Sequence, residues 1–249
     1  MSFIVFDLDD TLLNKNRTVS EYTLDVLEKL RKNGHFLVIN TARSRPFQKD
    51  IFDMIRPDWS IINGGATILN SNADPIWQRA VPKETLEEIL PRLLACTRAL
   101  SVQIGDVSWS SEPYSRRPDY RKTDFSDFAS ADADKIVPAC TDADALRAIT
   151  EEYSLGLHSY FGGEYWRIGH KEATKGGAML ALIELCGADA KDSIAFGDDF
   201  GDVDMLLAAG HGVAMKNASE DIRELVPNTT DYTNDEDGVA RYLAKYFGI

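Results

Sequence analysis

Phe3-Ile4-Val5-Phe6 is a short, unbroken apolar run of β-favouring residues. A run without polar alternation suits a strand covered on both faces, as in a parallel sheet. Beyond it, Thr18-Val19-Ser20-Glu21 has the spacing of a capping box with Thr18 as the cap. The helix it opens places Tyr22, Val26, Leu27 and Leu30 on one face and stops at Asn33-Gly34. Phe36-Leu37-Val38-Ile39 is a second buried-strand pattern. A helix is predicted from near Ser44, with Pro46 in its first turn, to about Ile55. Trp59-Ser60-Ile61-Ile62 reads as a third strand. Strand, helix, strand, helix, strand at this rhythm predicts right-handed βαβ units in a doubly wound parallel sheet.

The rhythm resumes late in the chain. A helix is predicted over Thr174 to Cys186, ending at Gly187, then a strand at Ser193 to Phe196 and a short helix at Val203 to Ala209. A strand at Gly212 to Met215 and helices near Ala218–Val226 and Glu236–Phe247 finish the pattern. Between about Pro82 and His170 it loosens. Helices are expected at Lys83 to Leu100, interrupted by Pro91, and at Ala143 to Tyr153. Strands are expected at Val102 to Ser110, Leu155 to Phe161 and Glu164 to Ile168. Nothing repeats at a fixed period. The fold class expected is α/β: a doubly wound, Rossmann-like core over 1–81 and 171–249, with an inserted α/β module over 82–170.

A chain of 249 residues accommodates one large or two modest domains and buries a core without staples. Its 44% apolar and 27% charged residues are ordinary for a globular protein, which removes the disordered and low-complexity classes. Lys and Arg number 27 against 40 Asp and Glu, a formal net charge of −13. Nucleic-acid and anionic-membrane partners call for a basic footprint, so neither is expected. Three widely spaced cysteines, Cys96, Cys140 and Cys186, propose neither a disulfide framework nor a zinc site. The N-terminus lacks a basic region, and its apolar run meets Asp7 too early for a signal peptide. No stretch approaches the ~20 apolar residues of a membrane helix. A cytoplasmic location is expected.

Four polar segments stand at the predicted strand ends and helix starts, where open α/β sheets place their ligands. In Asp7-Leu8-Asp9-Asp10-Thr11, two carboxylates two residues apart share a side if the backbone stays extended. Such a pair repels unless a cation joins it, and Mg²⁺ prefers oxygen ligands with phosphate and water. Solvated turn residues or a helix cap are the plainer alternative. Asn40-Thr41-Ala42-Arg43 offers a hydroxyl and backbone N–H groups leading into a helix, an anion cradle or an ordinary N-cap. Lys175, at a helix start, opposes the macrodipole and makes sense aimed at an anion, though surface lysines are common. Gly197-Asp198-Asp199-Phe200-Gly201-Asp202 again clusters carboxylates after a buried strand. Each segment is weak alone; four on one sheet are specific.

In their order, DLDDTLL, NTAR, TKGGAM and GDDFGDVDM, followed by GVAMKNASEDI and TNDEDGVA, resemble the haloacid dehalogenase-like (HAD) superfamily, Cof-type branch, with its class IIB α/β cap. The resemblance covers about 1–81 and 171–249, and the insertion lies where that class places its cap. It implies Asp7 as the nucleophile forming an aspartyl-phosphate and Asp9 as general acid, then base. It implies phosphoryl oxygens held by the Leu8 N–H, Thr41 and Ala42, with Lys175 neutralising phosphate and Asp7. Mg²⁺ would lie on Asp7, Asp198, the Asp9 carbonyl and Asp202, the last directly or through water. Gly201 departs from the family, whose members often carry Asn there.

The resemblance also assigns specificity to the insertion, whose densest basic run is Arg116 to Lys122, equally readable as an exposed loop. Arg43 and Arg45 are nearer candidates for substrate contact. Trp109, Tyr160 and Trp166 are candidates for stacking on a substrate ring, or core residues. The function expected is a Mg²⁺-dependent phosphatase of small phosphorylated metabolites, most simply sugar phosphates. The alternatives are a phosphosugar mutase resembling phosphomannomutases, or a non-catalytic phosphoryl-accepting module. The partner expected is a small phosphate ester, with no nucleic acid or membrane, for a monomer or small homo-oligomer.

Overall fold

The computed structural model describes residues 1–112, 119–128, 130–160 and 163–249. In chain order its strands are β1 (Phe3–Phe6), β2 (Phe36–Asn40), β3 (Trp59–Ile62), β4 (Thr67–Asn70), β5 (Pro75–Gln78), β6 (Thr97–Ile104) and β7 (Val107–Ser110). There follow β8 (Tyr120–Lys122), β9 (Lys135–Cys140), β10 (Leu155–Tyr160), β11 (Tyr165–His170), β12 (Ser193–Gly197), β13 (His211–Ala214) and β14 (Asn228–Thr229). The helices are α1 (Glu21–Lys32), α2 (Lys49–Ile55), α3 (Lys83–Ala95) and α4 (Ala143–Glu152), then α5 (Lys175–Leu185), α6 (Val203–Ala208), α7 (Glu220–Leu225) and α8 (Gly238–Phe247).

The chain divides into two compact units. Met1–Ala42, Lys49–Ile76 and Thr174–Ile249 form the first; Arg43–Gln48 and Trp77–Ala173 form the second. The short piece 43–48 groups with the second unit because the Ser44 hydroxyl donates to Asp119 at 2.6 Å and Arg45 pairs with Asp106.

The first unit is built on an eight-stranded sheet ordered β14-β13-β12-β1-β2-β3-β4-β5. From β14 to β3 all pairings are parallel, and β4 turns back antiparallel to β3. On one face Ile4, Phe6, Leu37, Ile39, Phe196 and Val213 pack with Val26 and Leu30 of α1 and Val239 and Leu243 of α8. Helices α5 and α6 lie on strands β3, β4, β12 and β13. Cover on both faces is why the strands read as unbroken apolar runs. The chain fills the sheet from β1 through β2 to β3, and from β12 through β13 to β14 on the other side. The order therefore reverses between β1 and β12, the switch point where such sheets open a crevice.

Local details correct the sequence reading. The cap of α1 is Ser20, whose hydroxyl accepts the Thr23 N–H at 3.0 Å. Thr18 instead donates to Asn14 Oδ1 in the preceding turn, so the capping box at Thr18 does not form. Of the helix expected from Ser44 to Ile55, only α2 is regular; 45–48, holding Pro46, is a tighter turn.

The second unit holds a six-stranded sheet ordered β10-β11-β9-β6-β7-β8, antiparallel except for β7 beside β8. Leu86, Ile89 and Leu93 of α3 and Leu146 and Ile149 of α4 pack against Leu100, Val102, Ile136 and Ile168. Pro91 does not interrupt α3, because it is exposed while this apolar stripe anchors the helix. The helix ends at Ala95 and not Leu100, since the chain from Thr97 pairs with β9. Gly105, at φ +54°, turns what looked like one strand at 102–110 into the β6–β7 hairpin. No helix among the described residues is long and apolar enough to cross a membrane.

Candidate active site

Asp7 is the first residue past β1, at the switch point. Its backbone N–H still reaches back to Phe196 O of β12 at 3.1 Å. The chain then leaves the strand at once: Leu8 to Leu12 curl into a tight turn, with Leu8, Thr11 and Leu12 buried beneath it. Asp7 is buried and Asp9 exposed; Asp9 keeps an extended backbone at φ −67° and ψ 130° within the turn, and Asp10 is left-handed at φ +55°.

Lys175, the first residue of α5, sends its Nζ to Asp7 Oδ1 at 2.7 Å and also bonds Asp202 Oδ1. Its position is fixed twice. Thr174 caps α5 by accepting the Gly177 N–H at 3.0 Å, and Asp204 accepts the Gly176 N–H at 2.8 Å. Asp202 is fully buried in the turn between β12 and α6. Its second oxygen accepts the N–H groups of Asp198 and Asp199, each at 3.1 Å. Asp198, at the end of β12, receives the Thr11 hydroxyl at 2.7 Å. Carboxylate oxygens of Asp7, Asp198 and Asp202 all lie within 4.8 Å of one another.

This arrangement sets three carboxylates against one ammonium. Burial pushes Asp7 up to about 7, against the lowering pull of Lys175, while Asp202 adds repulsion. Burial likewise raises Asp198 to about 8, although the Thr11 bond favours its ionised form. Burial opposes the charge on Lys175, but Asp202 and Asp7 outweigh it and hold the ammonium protonated well above its ordinary range. An all-oxygen, electron-rich, partly protonated cluster of this kind could hold a hard divalent cation, which would replace the excess protons.

Thr41 follows β2 and is buried. Its N–H donates to Ile61 O at 2.9 Å, and its carbonyl receives the Gly64 N–H at 2.9 Å. Ala42 is the next residue of the first unit, whereas Arg43 belongs to the second, its guanidinium over the Phe47 ring at 5.2 Å. The Arg45 guanidinium is engaged through two nitrogens by Asp106. Trp109 lies edge-on to Phe128, and Trp166 donates to Gly163 O at 2.9 Å; both pack against the core of the second unit. Arg116 to Pro118 of the basic run, and the Tyr160 side chain, lie outside the described residues; Arg121 and Lys122 are exposed. A Cβ on Gly201 would meet nothing within 4 Å, so packing does not demand glycine there.

Sequence reasoning passed over Thr11, Asp204 and Asn63. Thr11 and Asp204 look like ordinary turn and helix-start residues until their partners, 187 and 28 positions away, come into contact.

The sequence matches the haloacid dehalogenase-like hydrolase family over residues 4–243, and the chain belongs to that family of hydrolases. Among curated relatives, a Bacillus subtilis 5-amino-6-(5-phospho-D-ribitylamino)uracil phosphatase is 26% identical, the alignment spanning 99% of this chain and 97% of the relative. A Methanopyrus kandleri phosphoglycolate phosphatase is 25% identical, spanning 98% and 96%. Among solved structures, the subclass IIB sugar phosphatase BT4131 superposes with a TM-score of 0.85 at 20% identity, over 100% of this chain and 99% of that one, a likeness of fold.

Proposed function

We propose that this hydrolase is a Mg²⁺-dependent phosphatase of small phosphorylated metabolites that works through an aspartyl-phosphate on Asp7. The observation that carries the reading is the buried contact of Asp7 with Lys175 beside Asp198 and Asp202 at the switch point. A structural ion pair has no need of two further carboxylates, which raise its cost. Their oxygens, with the Asp9 carbonyl, would hold Mg²⁺, which when bound neutralises phosphoryl charge and keeps Asp7 ionised.

In the first step an Asp7 oxygen attacks phosphorus, and the bond to the ester oxygen breaks. Asp9, on the exposed side of the turn, gives its proton to the departing alkoxide. In the second step Asp9 takes a proton from water, whose oxygen attacks phosphorus and releases the Asp7 carboxylate with inorganic phosphate. Lys175 offsets charge on the phosphoryl oxygens and on Asp7. The Thr41 hydroxyl and the N–H groups of Leu8 and Ala42 orient the remaining oxygens, with Arg43 as a further substrate contact. Positioning and charge neutralisation are what phosphoryl transfer asks of a protein. The acidic chain and its isolated cysteines fit a cytoplasmic enzyme without nucleic-acid or membrane partners, acting as a monomer or small homo-oligomer.

The test is phosphate release from a panel of sugar phosphates, nucleotides and cofactor phosphates, with Mg²⁺ and with chelator. Chelator-sensitive release strongest for sugar phosphates is expected. Turnover only with a bisphosphate cofactor would favour a mutase, and no release from any ester would refute the reading.

A further inference from the structure

Asn63 is a buried polar residue at the sheet edge whose amide lacks a partner among the described residues. It follows β3, two positions beyond Ile61, which pairs with Asn40 of β2. Across the sheet, the residues that leave the strands are thus Asp198 after β12, Asp7 after β1, Thr41 after β2 and Asn63 after β3. Asn63, Gly64 and Gly65 all have left-handed backbones, at φ +55°, +71° and +96°. This turn is tied to the site on both sides. The Gly64 N–H holds the Thr41 carbonyl at 2.9 Å, and a Cβ on Gly65 would lie 2.2 Å from the carbonyl oxygen of Thr174, the cap beside Lys175.

The turn explains the positive φ but not the side chain. Asn63 is 1% exposed, and neither its Nδ2 nor its Oδ1 has a partner among the described residues. Glycine would supply the same backbone at little cost. A buried amide left without partners costs about 1–3 kcal/mol per group, so its retention calls for a ligand.

The kind of ligand follows from which atoms lack a partner. A phosphoryl dianion only accepts hydrogen bonds and would leave Oδ1 facing an oxygen of like charge. A group that both donates and accepts satisfies the whole amide, and a hydroxyl does so. Resting on the phosphatase reading above, we infer that Asn63 is a specificity-determining residue whose carboxamide binds a hydroxyl of the leaving group next to the phosphoryl position at Thr41. Substrates are then phosphates of polyols or sugars, discriminated from esters that carry no hydroxyl.

The variant that isolates the amide is Asn63→Gly, which keeps the left-handed turn and removes the side chain. Its kcat/KM is compared with wild type on glucose 6-phosphate and on p-nitrophenyl phosphate, whose leaving group has no further hydroxyl. A loss of about tenfold or more on the sugar ester, with the aryl ester within twofold, is expected for one lost hydrogen bond of about 1.4 kcal/mol. Equal losses on both esters, or none on either, overturn the inference. If Asn63→Gly does not fold, wild-type kcat/KM on glucose 6-phosphate is compared with that on its deoxy analogues; a loss of about tenfold or more on removing one hydroxyl is expected, and no loss with any of them overturns the inference. If wild type turns over neither ester, the phosphatase reading fails. Calorimetric binding of glucose 6-phosphate then tests Asn63 separately, and equal affinity of wild type and Asn63→Gly overturns it.

Discussion

At the scale of single residues, the two aspartates of the first motif differ in surroundings and so in expected role. Asp7 is buried against Lys175, while Asp9 is exposed two residues later. An exposed carboxyl is placed to exchange protons with solvent and leaving group. Asp9→Asn is therefore expected to slow hydrolysis of alkyl phosphates by about 10²–10⁴-fold, the usual worth of a general acid. With p-nitrophenyl phosphate, whose leaving group hardly needs a proton, the first step should be far less affected. Steady-state and burst kinetics on the two esters check this; equal loss of the first step on both would contradict the acid role. Lys175→Met makes a different prediction. It leaves Asp7 and Asp202 buried without their shared cation, and breaking such a contact costs about 3–5 kcal/mol. Chemical denaturation should show that loss together with loss of turnover.

Legibility at this scale was uneven. Asp7, Thr41, Lys175 and Asp198 could be picked out because each stands where an apolar strand stops or a helix starts. Thr11 and Asp204 could not, because their meaning lies in contacts made across the fold. Asn63 carried a local signal, an Asn-Gly-Gly turn after a buried strand, whose weight appears only with the burial of its amide.

At the scale of elements, periodicity located the parallel strands and most helices but not their exact ends. Ser20 displaced Thr18 as the α1 cap because Asn14 occupies the Thr18 hydroxyl. Pro91 was overridden by the buried stripe of α3, and Gly105 divided an extended run into a hairpin. Strands β4 and β5 are four residues each, and β5 is largely exposed, too little apolar pattern to distinguish them from loop. Helix α8 carries a prediction of its own. His35 packs on Phe247 with ring centroids 4.3 Å apart, and His211 shares a 2.8 Å hydrogen bond with Tyr242. Burial lowers the titration of both rings, with the N-terminal charge adding to the effect on His35. A depressed folded value means the stabilisation is present above the unfolded value, about 6.5, and is lost as pH falls through the folded one. The two rings therefore work against stability as pH falls from 7 to 5, and replacing both histidines with Phe should raise Tm at pH 5 relative to pH 7 when thermal melts are compared with wild type. An unchanged difference between the two pH values would contradict this role for the rings.

At the scale of the whole molecule, the sheet's switch point gathers Asp7, Lys175, Asp198 and Asp202 from three distant stretches of sequence. The raised values of about 7 for Asp7 and about 8 for Asp198 work against stability as pH rises. Raised carboxyls are neutral and unstrained below about 4, and their contribution is lost as they ionise through the folded values. A divalent cation reverses this by binding the ionised cluster. Mg²⁺ is therefore expected to raise Tm more at pH 8 than at pH 5, by about 2.7 kcal/mol of stability at a hundredfold excess over Kd. An equal shift at both pH values, or none in Asp198→Asn and wild type alike, would argue against metal on these carboxylates. The acidic composition does not preclude an anionic substrate, since in the proposed reaction the cationic character would be supplied locally by Lys175.

The central claim is that Asp7 becomes phosphorylated during turnover. The most direct measurement is acid quench of the enzyme mixed with a turned-over ester and Mg²⁺, followed by mass spectrometry of the peptide containing Asp7. One phosphoryl group on Asp7, absent with chelator and absent in an Asp7→Asn variant that is folded and inactive, is the result expected. A fully active Asp7→Asn variant, or turnover with the phosphoryl group found on another residue, would contradict it.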